Sequence, residues 1–213
     1  MKTAMAIFCL LSFLLMGCSY QTNKEHAGSK THSDNVIPSY YDQYILNPQV
    51  TDDRALQKVG ERLRDRKGEA TLKAVNLPHQ TYQIGPIQLT IREAKILHYK
   101  PDYSLIDFYH SYTHEEEFDF VKLFVEIQNT ADQPLQFAPV AIMRTNSGEQ
   151  KIWEDDIYLE ELNGKIEANG TKKGNLGFIL ENSQIESITI KTSDVFNEKD
   201  EKIHNAKEIK VDL

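Results

Sequence analysis

Hydrophobic positions follow three different patterns along this chain. From Ala4 to Met16 they form an apolar run broken at Ser12, and between residues 19 and 35 they nearly vanish. From about Thr81 they alternate with polar residues at period two. Ile87, Leu89 and Ile91 alternate with Gln88, Thr90 and Arg92, and Val121, Leu123, Val125 and Ile127 alternate with Lys122, Phe124, Glu126 and Gln128. Leu176, Phe178 and Leu180 flank Gly177 and Ile179, Ile188 and Ile190 follow, and Ile209, Val211 and Leu213 close the chain. Successive side chains of a strand point to opposite faces, so this alternation is that of half-buried strands. Asn146-Ser147-Gly148, Asn163-Gly164 and Asn169-Gly170 supply the turns between them. Many short strands with such punctuation predict an all-β fold, an antiparallel β-sandwich over residues 81–213. No long helical stretches alternate with the strands, which argues against a parallel α/β sheet.

Upstream the rhythm changes. Leu56, Val59 and Leu63 recur at helical spacing, Asp52 or Asp53 can cap, and Lys67-Gly68 can stop the element. This predicts one short helix within 51–66, with residues 51–80 as helix and connection. Its apolar stripe is narrow, which favours a helix lying on the domain surface over a partner-binding one. Residues 19–35 are too polar to offset their ordering entropy and read as a disordered tether, part of an 18–50 linking region. Within that region Ile37, Tyr40, Tyr41, Tyr44, Ile45 and Leu46 are expected to lie across the domain, with partner binding by the tyrosines as the second reading.

Charge and cysteine content narrow the function classes. The net charge of -8 argues against nucleic acid, whose phosphates need a basic footprint. Cys9 and Cys18 are the two cysteines, both near the start. A mature domain beginning at Cys18 therefore has no internal disulfide and no thiolate metal site.

The apolar run from Ala4 to Met16 follows Lys2 and is shorter than the roughly 20 residues a membrane span needs. It fits the apolar region of a signal peptide over residues 1–17. The run ends in Leu15-Met16-Gly17-Cys18. This resembles the lipobox of bacterial lipoproteins, in which the thiol is alkylated and the chain is cleaved before the cysteine. The resemblance implies a lipid anchor on Cys18 and a cell-membrane location on the extracytoplasmic face. Two acyl chains hold a protein stably where one does so marginally.

A second resemblance lies downstream. Phe120-Val121-Lys122-Leu123-Phe124-Val125-Glu126-Ile127-Gln128-Asn129-Thr130, Leu135-Gln136-Phe137-Ala138-Pro139, and residues 166–178 with Asn169-Gly170 and Gly177-Phe178 carry it. Residues 84–213 resemble the immunoglobulin-like extracellular domain common in lipoproteins of Gram-positive bacteria, a fold group that includes mycobacterial immunoprotective extracellular proteins. The resemblance implies an immunoglobulin-like sandwich without enzyme activity. The segment 95–119 is longer than that pattern leads one to expect between its first and central strands.

Candidate chemistry concentrates in that segment. His110 and His114 are four apart and would share a helical face, yet Ser111-Tyr112-Thr113 between them is not the His-Glu-x-x-His zinc motif. Glu115-Glu116-Glu117 reads as a solvated face. No catalytic serine motif, phosphate-binding glycine loop or calcium loop is present, so no catalytic residue, metal or cofactor is assigned. Loops on a rigid sandwich often carry recognition. Tyr109, His110, Tyr112 and His114 are therefore the candidate ligand-binding residues, the competing reading being a loop that covers an open sheet edge. The chain reads as a membrane-anchored binding or interaction module for an unknown protein or small ligand. The alternative is an accessory or envelope-stress lipoprotein that binds a metal or small ligand.

Changing Cys18 to Ser is expected to abolish fatty-acid labelling and release the protein from the membrane fraction. Metabolic labelling followed by cell fractionation measures both, and undiminished labelling would refute the anchor.

Overall fold

The alternating segments form antiparallel sheets in the computed structural model, which describes residues 37–213. The predicted signal peptide, Cys18 and the tether to residue 36 lie outside those residues. The strands are β1 (Arg62–Asp65), β2 (Gly68–Asn76), β3 (Gln80–Ile84), β4 (Ile87–Pro101), β5 (Phe118–Asn129), β6 (Leu135–Phe137) and β7 (Ile142–Thr145). They continue as β8 (Gln150–Ile152), β9 (Gly164–Ile166), β10 (Thr171–Leu180), β11 (Ser187–Lys191), β12 (Val195–Asn197), β13 (Lys202–His204) and β14 (Glu208–Asp212). One short helix, α1 (Ile106–Tyr109), lies between β4 and β5. Among the described residues no helix is long and apolar enough to cross a membrane.

A six-stranded sheet runs β1-β2-β4-β5-β10, with β3 also pairing β4. Two four-stranded sheets, β14-β11-β7-β8 and β13-β12-β6-β9, pack against its inner face. The main core lies between them and joins Leu89, Ile91, Leu123, Val125, Leu176 and Phe178 of the large sheet to Phe137, Met143, Ile190 and Val195 opposite. The result is an antiparallel β-sandwich.

The large sheet is buried on its outer face too. Leu97, Tyr99, Phe118, Phe120 and Ile179 point there and are covered by Val50, Leu56, Tyr109, Ile157 and Tyr158. This explains why Phe120 to Val125 reads almost continuously apolar, because a strand buried on both faces has no solvent side. The cover is a third, irregular layer made of residues 37–60, α1, and residues 156–162.

A β-bulge sets which side chains face this layer. The register between β4 and β5 shifts between Ile91 and Glu93, leaving Arg92 as the extra residue. Before it, Ile87, Leu89 and Ile91 face the main core, and after it Ala94 and Ile96 do. One inserted residue reverses the facing of everything that follows. Glu93 and Lys95 thereby leave the main core and face the irregular layer.

Three expectations need correction. Residues 51–66 are turns followed by β1, not a helix. Gly60 sits at φ +88, and Gly60 N and Leu72 N donate to Leu72 O and Glu61 O, so this stretch pairs alongside β2. Of the supposed stripe, Leu56 is buried while Val59 is 65% exposed, so sheet pairing overrides the local rhythm. The sandwich begins at β1, well before residue 81, and ordered structure already begins within the 18–50 linking region. Finally, segment 95–119 is not one loop: β4 reaches Pro101 and β5 starts at Phe118, so the connection between them is residues 102–117.

Gly177 lies opposite Lys122 in the sheet, and a Cβ there would come within 2.7 Å of the Tyr158 ring. Gly177→Ala is expected to push Tyr158 off the sheet and cost roughly 1–3 kcal/mol. Urea denaturation measures this, and an unchanged midpoint would show that the third layer is not packed tightly at this point.

Candidate functional site

The site grows from the outer face of the large sheet. Lys95 and Lys122 stand directly opposite each other on β4 and β5, and both side chains are fully buried. Like charges in cross-strand positions repel, and buried ammonium groups are costly unless paired. Glu93 supplies one carboxylate from the same face, 2.9 Å from Lys122 Nζ and 3.2 Å from Lys95 Nζ. The second comes from Asp53 in the irregular layer. Its oxygens accept from Lys122 at 2.7 Å and from Lys95 at 3.0 Å. The Asp53 backbone carbonyl also accepts from Lys95. Two ammonium and two carboxylate groups make the cluster formally neutral.

Tyrosines complete it. Tyr41 Oη donates to Glu93 and accepts from Lys122 at 2.8 Å, and Tyr40 Oη donates to the other Glu93 oxygen at 2.8 Å. Their rings pack on Phe124. Burial, opposed and outweighed by the two lysines, leaves the Asp53 carboxyl lowered to about 2. The same balance holds Glu93 below its usual value. Burial disfavours the charged form of Lys122, but Asp53 and Glu93 outweigh it and raise its pKa.

Residues 37–60 are thus strapped down through side chains. Further along, Glu160 joins the strap to β10. Its Oε1 accepts from Tyr44 Oη at 2.6 Å and Asn47 Nδ2 at 3.1 Å, and its Oε2 accepts from Asn175 N at 2.8 Å. Asp156 accepts from Gly177 N at 2.8 Å. Two carboxylates thereby occupy alternate edge N–H groups of β10, where a neighbouring strand would otherwise place carbonyls. Asp156 is buried with no cation paired to it among the described residues, and desolvation lifts its pKa to about 7 against the backbone hydrogen bonds it accepts.

Between the strap and residues 158–161 opens a cleft of about 520 Å³. Its walls include Ile45, Leu46 and Leu159, which are 87%, 44% and 57% exposed. Gln43, Leu159 and Glu161 on its rim have φ of +63, +54 and +51. Non-glycine residues rarely adopt this left-handed region, and such strain gathers at binding and catalytic sites. Glu160 and Lys173 also line the cleft, with Lys173 Nζ donating to the carbonyls of Tyr40 and Asp42.

The structure separates the four sequence-derived candidates. Tyr109 is buried, stacks on Tyr99 and Phe118, and donates to Gln49 O at 2.9 Å, so it is a core residue that anchors the strap. Tyr112 packs partly buried on Phe108. His110 and His114 are both exposed, with ring centroids 6.3 Å apart, and no group of three metal-ligating side chains occurs among the described residues. None of the four lines the cleft. The four-charge cluster escaped sequence reasoning because Asp53 resembled a helix cap. The available signal was Lys122 inside an otherwise apolar run.

Stability should have two pH limits. Asp53, depressed from 3.8 to about 2, contributes stability above pH 3.8 that is lost as pH falls through 2. Asp156, raised from 3.8 to about 7, contributes stability below pH 3.8 that is lost as pH rises through 7. Asp156→Asn keeps an acceptor for Gly177 N and Tyr158 N but cannot ionise. In urea titrations the parent should weaken between about pH 5 and about pH 8.5 while the variant stays nearly level. Parallel curves would remove Asp156 as the cause.

No family model matches the chain, so the immunoglobulin-like resemblance rests on its strand pattern. A solved structure of a functionally unknown protein from Listeria monocytogenes EGD-e aligns at a TM-score of 0.49 and 13% identity, covering 68% of this chain and 87% of that one. An SPbeta prophage-derived uncharacterized lipoprotein of Bacillus subtilis strain 168, YonS, is 25% identical over 74% of this chain and 72% of its own length. The uncharacterized protein YdhF of the same organism is 44% identical over 95% of this chain and 96% of its own. At that identity over nearly its full length, the chain belongs to the YdhF family.

Proposed function

We propose that this protein is a lipid-anchored, extracytoplasmic binding module without catalytic activity, and that its recognition surface is the cleft between the strap and residues 158–161. The observation that carries the reading is the exposure of Ile45, Leu46 and Leu159 around that cleft, with Leu159 and the rim residues Gln43 and Glu161 at positive φ. A lone exposed leucine is ordinary, but three bulky apolar side chains around one strained cleft mark a place where something docks. The rest of the layer is rigid, since the four-charge cluster and Glu160 fix both the strap and β10. A rigid frame around an exposed apolar cleft suits binding. The lipoprotein name of YonS and the lipobox at Cys18 support the anchor.

The neutral apolar dye Nile red tests the location. Saturable one-to-one fluorescence enhancement is expected with the native protein and should be lost in Leu159→Asp, whose side chain is already in solvent and whose fold should persist by circular dichroism. The His110→Ala/His114→Ala pair should bind as the parent does. Loss of binding in the histidine pair with retention in Leu159→Asp would move the surface to the 102–117 loop.

A further inference from the structure

Beside the cleft, and sharing part of its lining, is a smaller recess that specifies more than apolarity. It is about 10 Å³, the space of a single water-sized group. It shares Tyr44, Leu46, Asn47 and Tyr158 with the cleft, and Asn175 also lines it. Tyr158 Oη and Asn175 Oδ1 are buried and have no hydrogen-bond partner among the described residues. A buried polar atom left unpaired is costly, and two beside one recess are a donor and acceptor set awaiting a partner.

The network fixes which way the Asn175 amide points. Tyr44 Oη gives its proton to Glu160, so at 2.6 Å it must accept from Asn175 Nδ2. Asn175 Oδ1 therefore remains as an acceptor, while Tyr158 Oη offers a proton. Burial, reinforced by the negative charge of Asp53, keeps that phenol protonated well above its usual range. A group entering the recess must donate once and accept once.

We propose that the cleft takes a neutral amphiphile, an apolar chain ending in a hydroxyl, with the hydroxyl in the recess between Tyr158 and Asn175 and the chain along Leu46, Ile45 and Leu159. The proposal rests on the cleft being the recognition surface and names its ligand class. A hydroxyl matches one donor and one acceptor in the space of one such group. An ammonium carries three donors and would lose its hydration, while the carboxylates that also line the recess are already engaged, Asp52 by Arg54 and Asp53 by Lys95 and Lys122. A carboxylate would face Asn175 Oδ1 with no proton to give and would lie near Glu160.

The test uses the full chain carrying Cys18→Ser, which keeps attached acyl chains out of the assay. Calorimetric titration compares 1-octanol, octylammonium and octanoate below micelle formation. One-to-one binding of 1-octanol is expected, with the two ions weaker by about tenfold or more, the worth of one well-matched hydrogen bond. Tyr158→Phe should weaken 1-octanol by about tenfold while leaving thermal stability equal or higher, since it removes an unpaired buried hydroxyl. Leu159→Asp should weaken all three compounds. Tighter octylammonium binding, or 1-octanol affinity unchanged in Tyr158→Phe, would overturn the hydroxyl assignment while the cleft reading stands. Absence of any binding, together with absent Nile red binding, would overturn both.

Discussion

Two lysines opposite each other inside a protein set the terms for everything on the outer face of this sheet. Lys95 and Lys122 are cross-strand neighbours with fully buried side chains. A single carboxylate on the same face, Glu93, cannot neutralise both. The missing charge is Asp53, which lies about 40 residues earlier in sequence than either Glu93 or Lys95 and on a segment that forms no strand of the sheet. The strap is consequently part of the sheet's electrostatic balance. Removing any one member leaves an uncompensated buried charge, a loss of roughly 3–5 kcal/mol in comparable settings.

That constraint depends on one backbone irregularity. Without the bulge at Arg92, Glu93 and Lys95 would continue the phase of Leu89 and Ile91 and point into the main core. With it, they meet Lys122 on the outer face, and the main core receives Ala94 and Ile96 in their place. Gly177, across β5 from this point, leaves room for Tyr158 to lie over the sheet. The bulge and the glycine together turn a sheet face that could have been solvated into the floor of a third layer.

The cleft is a consequence of how that layer is fastened. The strap is held at Tyr41 and Asp53 by the charge cluster and at Tyr44 and Asn47 by Glu160. Between the second pair, Ile45 and Leu46 are exposed and line the cleft. Residues 158–161 are pinned by Asp156 and Glu160 to the β10 edge, and the positive φ of Leu159 and Glu161 holds Leu159 toward solvent. Rigid attachment on both sides leaves an apolar opening with fixed walls. Asp156, buried there with no cation paired to it among the described residues, lowers stability above neutral pH.

The sequence by itself determined the strands of the main core, since period-two alternation is a local property that a half-buried strand imposes on its own residues. Ile87 to Ile91, Val121 to Ile127 and Leu176 to Leu180 are legible for that reason, and residue type marks the turns at Asn146-Ser147-Gly148 and Asn169-Gly170. It also placed the candidate anchor at Cys18, because a short apolar run and the Leu15-Met16-Gly17-Cys18 at its end carry that signal entirely. Tertiary structure decided the rest. Leu56 and Val59 have helical spacing, but pairing with β2 governs residues 60–65. The tyrosines of the strap, expected to lie across the domain, do so through partners 50 to 130 residues away that no local window contains. Tyr109 looked like a recognition residue in a loop rich in tyrosine and histidine, yet it is buried beneath the strap. The cleft has no motif at all, because its walls come from residues 43–49 and 158–161, which meet through Glu160. Charge pairing and strand pairing act across space, and a sequence shows which groups need partners without showing where those partners are.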